Sequence, residues 1–197
     1  MRYDPLTRLL HVTIAIGITV QMLVSLVMVY PKPGRLPNEW FAIHETLGVV
    51  LCGVLATHWL WSVLRTLVSG EPMRLFPWFS RSRLSELADD IRATVRELGR
   101  LRLPNGEGTE AFPAVVQGLG LLLGLFLAGS GTILALGMAP DGTMSSLVHA
   151  IKEAHETAAP LMWVYLAAHP TLGILHHLAG HKTLDRVFGF GGRSNQQ

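Results

Sequence analysis

From Leu9 to Tyr30 the chain carries no aspartate, glutamate, lysine or arginine. A run of that length and composition can cross the hydrocarbon core of a bilayer as one helix, and few other structures can satisfy its backbone. Three more long apolar runs follow, so the sequence predicts spans over about 6–30, 40–64, 113–138 and 154–179. The 197 residues are 49% hydrophobic and only 15% charged, which argues against a soluble domain of the same length. The first run is too long for the core of a signal peptide and lacks a small-residue cleavage site, so it is expected to stay as an anchor. Asp4 before Pro5 supplies a helix start, and Pro31, Pro33, Gly34 and Pro37 supply a short, stiff stop.

Lysine and arginine orient these spans. Arg2, Arg8, the eight arginines from Arg65 to Arg102, Lys182, Arg186 and Arg193 all fall on one side, against Lys32, Arg35 and Lys152 on the other. The excess marks the cytoplasm, which places both termini and the 65–112 loop inside. Within that loop LFPWF (Leu75 to Phe79) suits the membrane interface, and Ser82 to Leu103 reads as an amphipathic helix. Its apolar stripe is Leu84, Leu87, Ala88, Ile91, Val95, Leu98 and Leu101, with Arg92, Arg96 and Arg100 in a second row. Such a helix is expected to lie on membrane lipid, with docking to a soluble partner as the alternative. The fold expected is thus all-α: a four-transmembrane-helix bundle, both termini cytoplasmic, with an interfacial helix between spans 2 and 3. The net charge of +2 and the lack of a basic tract give no sign of nucleic-acid binding.

Histidines give this apolar frame a chemistry. They stand at 11, 44, 58, 155, 169, 176 and 177 in or beside the spans, where an ionisable side chain is costly unless it has work to do. His155 and His169 are separated by fourteen residues, which in a helix is about 21 Å of rise and about 40° of rotation, so both leave one face near opposite ends of the span. Two stacked sites for a large flat cofactor would require that arrangement. With alternating span directions, His44 and His155 share one depth, and His11 and His169 the other. Imidazole on both sides of a haem iron makes an electron-transfer site with no position open to oxygen. An internal echo complicates the pairing: His44-Glu45-Thr46 and His58 in span 2 repeat the spacing of His155-Glu156-Thr157 and His169 in span 4. His58 could therefore face His169 in place of His11. Cys52 is the only cysteine, and no CxxCH occurs, so a disulfide, covalently attached haem and a thiolate-held cluster are excluded.

The opening YDPLTRLLH resembles the b-type cytochrome subunits of nickel–iron hydrogenases and formate dehydrogenases. AIHETLG in span 2, and HET with the later His169 and LHH in span 4, resemble the bacterial cytochrome b561 family to which those subunits are related. The resemblance implies one di-haem b domain over residues 1–197 in the bacterial inner membrane. In that family spans 1 and 4 share one haem and spans 2 and 4 the other. Carried over, His11 and His169 would be the axial ligands on the cytoplasmic side, and His44 and His155 those on the outer side. Val12 stands where the family often has tryptophan. His58 stands where many members have an arginine for a haem propionate, so it is either a propionate partner or a ligand in place of His11.

Other assignments follow from these ligands. Gly48, one turn after His44, is expected to let a porphyrin lie against its helix, and Arg8 to reach a propionate. Glu45 and Glu156 are expected in first turns, where carboxylates complement the helix dipole. His176 and His177 are candidates for a quinone or propionate site, while His149 and His181 fall outside the spans. Glycine at 118, 120, 124, 129 and 131 allows close approach by a helix or a flat ring in span 3. The function expected is transmembrane electron transfer between quinone and a redox protein or dehydrogenase subunit, with a homo-oligomer compatible. Partner-free oxidation of superoxide with quinone as acceptor is the alternative. A divalent-metal transporter and a plain membrane anchor are the readings from other classes. The only carboxylates in the spans are Glu45 and Glu156, fewer than a cation path usually needs, and fourteen residues is too wide for one metal site.

Overall fold

The computed structural model describes residues 4–69, 81–100 and 111–178. They form five helices: α1 (Pro5–Ser25), α2 (Glu39–Ser69), α3 (Arg81–Gly99), α4 (Ala111–Gly137) and α5 (Ser146–His176). All but α3 are long and apolar enough to cross a membrane, yet their most apolar windows are only 6–28% buried. Exposed Leu9, Ile16, Val20, Leu60, Phe126, Ile133 and Val164 cover the outside of these helices with hydrocarbon, a surface suited to lipid tails and not to water. The chain is an all-α, multi-pass membrane protein. The chain divides into two compact units, one made of residues 1–8, 62–120 and 167–197, the second of residues 9–61 and 121–166.

In the second unit Met22 (α1), Leu127 (α4) and Met162 (α5) form the core, flanked by Ile18, Leu123, Ala158, Ala159, Tyr165 and Leu166. Lipid offers helices no hydrophobic drive to associate, so close packing must hold them, and small residues permit it. A Cβ at Gly124 would stand 3.4 Å from Leu55 and 3.5 Å from Ile18, so this glycine serves helix contact. A Cβ at Gly17 would lie 2.5 Å from Leu51.

Three helix ends differ clearly from the sequence expectation: α2 runs on to Ser69 instead of ending at 64, α1 stops early and α5 starts early. α1 stops at Ser25 although Leu26, Val27 and Met28 continue its apolar pattern. Asn38 takes over there: its Nδ2 donates to the Val27 carbonyl (2.9 Å), and its Oδ1 accepts from the Val29 amide (2.8 Å). The same Oδ1 accepts the Phe41 amide at 3.1 Å, so one side chain ends α1 and caps α2. α5 begins at Ser146, well before the expected Ala154, because Ser145 caps it through the Val148 amide (3.3 Å). The extra turns are laced by His149–Glu153 (3.6 Å) and Lys152–Glu156 (2.6 Å) pairs. Glu45 and Glu156 consequently lie beyond the first turns of α2 and α5, and the helix-dipole role expected for them does not hold.

The loops of this unit are tight. Lys32 and Arg35 exchange backbone hydrogen bonds (3.1 and 2.8 Å) around Pro33-Gly34, and Gly34 takes the positive φ of 79° that the turn requires. In the α4–α5 loop Asp141 accepts from the Thr143 hydroxyl (2.7 Å) and amide (2.9 Å). The Thr143 hydroxyl, and then its amide, hold the Asp141 carboxyl below the usual carboxylate range. Gly142 has φ 82°, and a Cβ there would overlap the Pro31 carbonyl of the other loop.

In the first unit Asp4 caps α1 through the Thr7 amide (2.9 Å) and hydroxyl (2.6 Å), and pairs with Arg65 of α2 at 2.6 Å. α3 carries exposed Leu84, Ile91 and Val95 along its expected apolar stripe. Within the arginine row Arg92 pairs with Asp89 (3.1 Å) and Arg100 with Glu97 (3.4 Å), which reduces the positive charge it presents. The LFPWF segment and Leu101 lie outside the described residues.

Candidate functional site

A cleft in the second unit is lined by four segments: Met28 and Tyr30 of the α1–α2 loop, Phe41, His44 and Glu45 of α2, Gly131, Leu134 and Ala135 of α4 with Met138 just past its end, and Lys152, His155 and Glu156 of α5. The two histidines that share a depth by sequence thus share a cleft in space. Its walls are apolar, with carboxylates and a lysine among the lining residues.

The imidazoles are held differently. His155 Nδ1 is 2.9 Å from the Ser130 hydroxyl of α4. That hydroxyl also lies 2.7 Å from the Phe126 carbonyl and 3.1 Å from the Leu127 carbonyl. Beside it, a Cβ at Gly131 would stand 3.3 Å from His155 Cε1, so the glycine lets α4 lie directly against the ring. His44, by contrast, has a buried Nδ1 with no hydrogen-bond partner among the described residues. What α1 gives His44 is a backbone contact: Gln21 Nε2 donates to its carbonyl at 2.8 Å. Gly48 makes room for that amide, since a Cβ there would be 3.0 Å from Gln21 Nε2. The glycine that meets an imidazole of this cleft is Gly131, and Gly48 faces α1.

Three cations gather at one edge of the cleft. Lys32 and Lys152 each place Nζ 4.8 Å from the centre of the Tyr30 ring, and the Arg35 guanidinium lies 5.3 Å from it. A hydrogen bond with Lys32, then the charge of Lys152, hold the Tyr30 hydroxyl below the usual tyrosine range, against burial and Glu156. These are the three basic residues that the charge count set apart from the other thirteen.

The remaining candidates fall elsewhere. His11 and His58 are half-buried on α1 and α2 in the second unit, whereas Arg8, His169 and His177 belong to the first. His177 has a buried Nδ1 without a partner among the described residues. His176 ends α5, and His181 lies outside the described residues. His149 is exposed in the first turn of α5, and Cys52 is half-buried on α2.

These residues fit a haem. Among the described residues no three His, Cys, Asp or Glu side chains gather as a chelating group. Two imidazoles lining one cleft suit an iron whose other four ligands come from a macrocycle. The buried, unpartnered His44 Nδ1 and the close approach of Gly131 to the His155 ring agree with that.

Four membrane-length helices with two histidines lining one cleft have the frame of a membrane cytochrome. The chain belongs to the prokaryotic cytochrome b561 family, whose family model matches residues 2–190. It is a b-type cytochrome that binds haem b and transfers electrons across a membrane. The family sets aside the transporter and plain-anchor readings. No curated protein and no solved structure shows significant similarity to the chain.

Proposed function

We propose that the chain is a two-haem cytochrome of the bacterial inner membrane, with both termini and the 65–112 loop in the cytoplasm and α3 on that membrane surface. His44 and His155 are the axial ligands on the outer side, and His11 and His169 those on the cytoplasmic side. Arg8 and His58 serve the inner propionates, and His176 and His177 line a cytoplasmic-side site for quinone or propionate. Bound haem b supplies a one-electron iron couple. The chain's own contribution is to bring imidazoles from two helices to one cleft, where His44 and His155 would hold the haem iron between apolar walls. That arrangement favours electron transfer over oxygen chemistry. Electrons pass one at a time between quinone and a redox protein or dehydrogenase subunit.

The observation that carries this reading is the cleft that receives both His44 and His155, the latter fixed by α4. Pyridine haemochrome analysis of the purified chain tests it. Two non-covalent haems b per chain are expected; a single haem, or haem retained covalently, would overturn it.

A second reading rests on a separate observation, the three cations around Tyr30 beside the cleft. Such a cluster draws small anions, as partner-free oxidation of superoxide to dioxygen with quinone as acceptor would need. In stopped-flow measurements, quinone reduction driven by superoxide should slow with added salt and in Lys32→Gln with Lys152→Gln. Absence of any superoxide-driven quinone reduction favours the partnered role.

A further inference from the structure

Ser130 is the one polar residue among the described residues as buried as the core, 7% exposed, and no motif of the sequence pointed to it. Hydroxyls elsewhere in the apolar helices bond back to a carbonyl of their own helix, as Thr19, Thr57 and Thr132 do at 2.7–2.8 Å. Ser130 does the same with the Phe126 carbonyl at 2.7 Å, and in addition meets His155 Nδ1 at 2.9 Å.

A serine hydroxyl has one proton, and the shortest contact of this one, 2.7 Å, is to the Phe126 carbonyl, which only accepts. With the proton there, as in Thr19, Thr57 and Thr132, the His155 contact has Nδ1–H donating to Ser130 Oγ. This selects one tautomer of His155, with the lone pair on Nε2, and it fixes the ring's rotation. The chain Nδ1–H to Oγ–H to carbonyl also polarises along its length. His44 has no such partner for its Nδ1.

We infer that Ser130 is the positioning residue that makes the two imidazoles of this cleft unequal, with His155 the better oriented and more basic donor to iron. The inference rests on the proposed assignment of His44 and His155 as ligands of one haem. A hydrogen bond from the far nitrogen raises the basicity of a ligating imidazole, which stabilises ferric over ferrous iron. Removing it should raise the midpoint potential of that haem alone.

The test is an optical redox titration with low-temperature electron paramagnetic resonance on three purified forms: unaltered, Ser130→Ala and Ser130→Thr. In Ser130→Ala both haems should remain, and one redox wave should move upward by about a tenfold change in the reduced-to-oxidised ratio, ~59 mV for one electron. The low-spin signal of that haem should move and the other stay. Ser130→Thr keeps a hydroxyl that can back-bond as Thr132 does, and should return both readouts towards the original. Loss of the haem in Ser130→Ala with retention in Ser130→Thr would likewise support a role for the hydroxyl. Unmoved waves in Ser130→Ala, or equal changes in both variants, would overturn it, because packing and not the hydrogen bond would be responsible. His155→Ala separates the levels. If it keeps both haems, the ligand assignment fails; if it loses one while the Ser130 variants are silent, only the role of Ser130 fails.

Discussion

In the second unit two polar side chains address histidines: buried Ser130 meets the ring of His155, and half-buried Gln21 meets the carbonyl of His44. In the first unit the charged side chains address one another, Asp4 with Arg65, Asp89 with Arg92, and Glu97 with Arg100, all on accessible surface. The difference follows from what water can reach. An ion pair exposed to solvent contributes about 0–1 kcal/mol and can be exchanged for hydration. A hydrogen bond inside an apolar span has no such substitute, so each buried hydroxyl or amide there holds a defined geometry.

The largest predicted effect tests whether a second imidazole pair exists beyond the cleft. His11→Ala should lose about one haem of two and leave the His44–His155 haem intact, whereas His58→Ala should keep both, with at most an altered potential. Haem quantitation with redox titration reads both variants. Loss in His58→Ala with full retention in His11→Ala would give the inner ligand role to His58, as the repeat between α2 and α5 suggests.

A smaller effect probes the wall of the cleft. Gly131→Leu forces a side chain towards a site where even a Cβ stands 3.3 Å from the His155 ring. Overpacking of this kind costs about 1–3 kcal/mol, so retention of that haem during dilution in detergent should weaken roughly tenfold. Gly129→Leu is the control, because no atom lies within 4 Å of a Cβ there. Equal haem loss from both variants would mean that α4 bulk in general, and not contact with His155, sets retention.

The smallest effects belong to the first unit. Asp4→Ala removes an N-cap and should cost about 1 kcal/mol in thermal unfolding followed by circular dichroism. Arg65→Gln, which removes an ion pair with side chains 48% and 30% exposed and a hydrogen bond to the Thr7 hydroxyl, should cost under about 1 kcal/mol. A reversed order would show that surface charge holds this unit more than helix capping does.

The parts of this account legible in the sequence are those set by local rules. Hydropathy marked four spans, and the alternating span directions put His155 at the depth of His44; the two residues line one cleft. Helix ends were less legible, one for a distant cause and one for a local one. Asn38 ends α1 from thirteen residues beyond Ser25, and the polar residues His149, Lys152 and Glu153 looked like loop until paired along α5. The glycines of α4 were visible as a group, but which one meets a ring depends on the register of two helices. Ser130 had a signal that could have been used: it is a hydroxyl between Gly129 and Gly131 inside an apolar span, where a polar side chain needs a partner.

The central claim is that His44 and His155 hold the same haem, and a double-variant cycle tests it most directly. Haem per chain should fall from two to one in His44→Ala, from two to one in His155→Ala, and stay at one in the double variant. The single remaining haem should show the same potential and spectrum in all three. A double variant without haem would show that each histidine serves a different haem, and either single variant retaining two would remove that histidine from the ligand set.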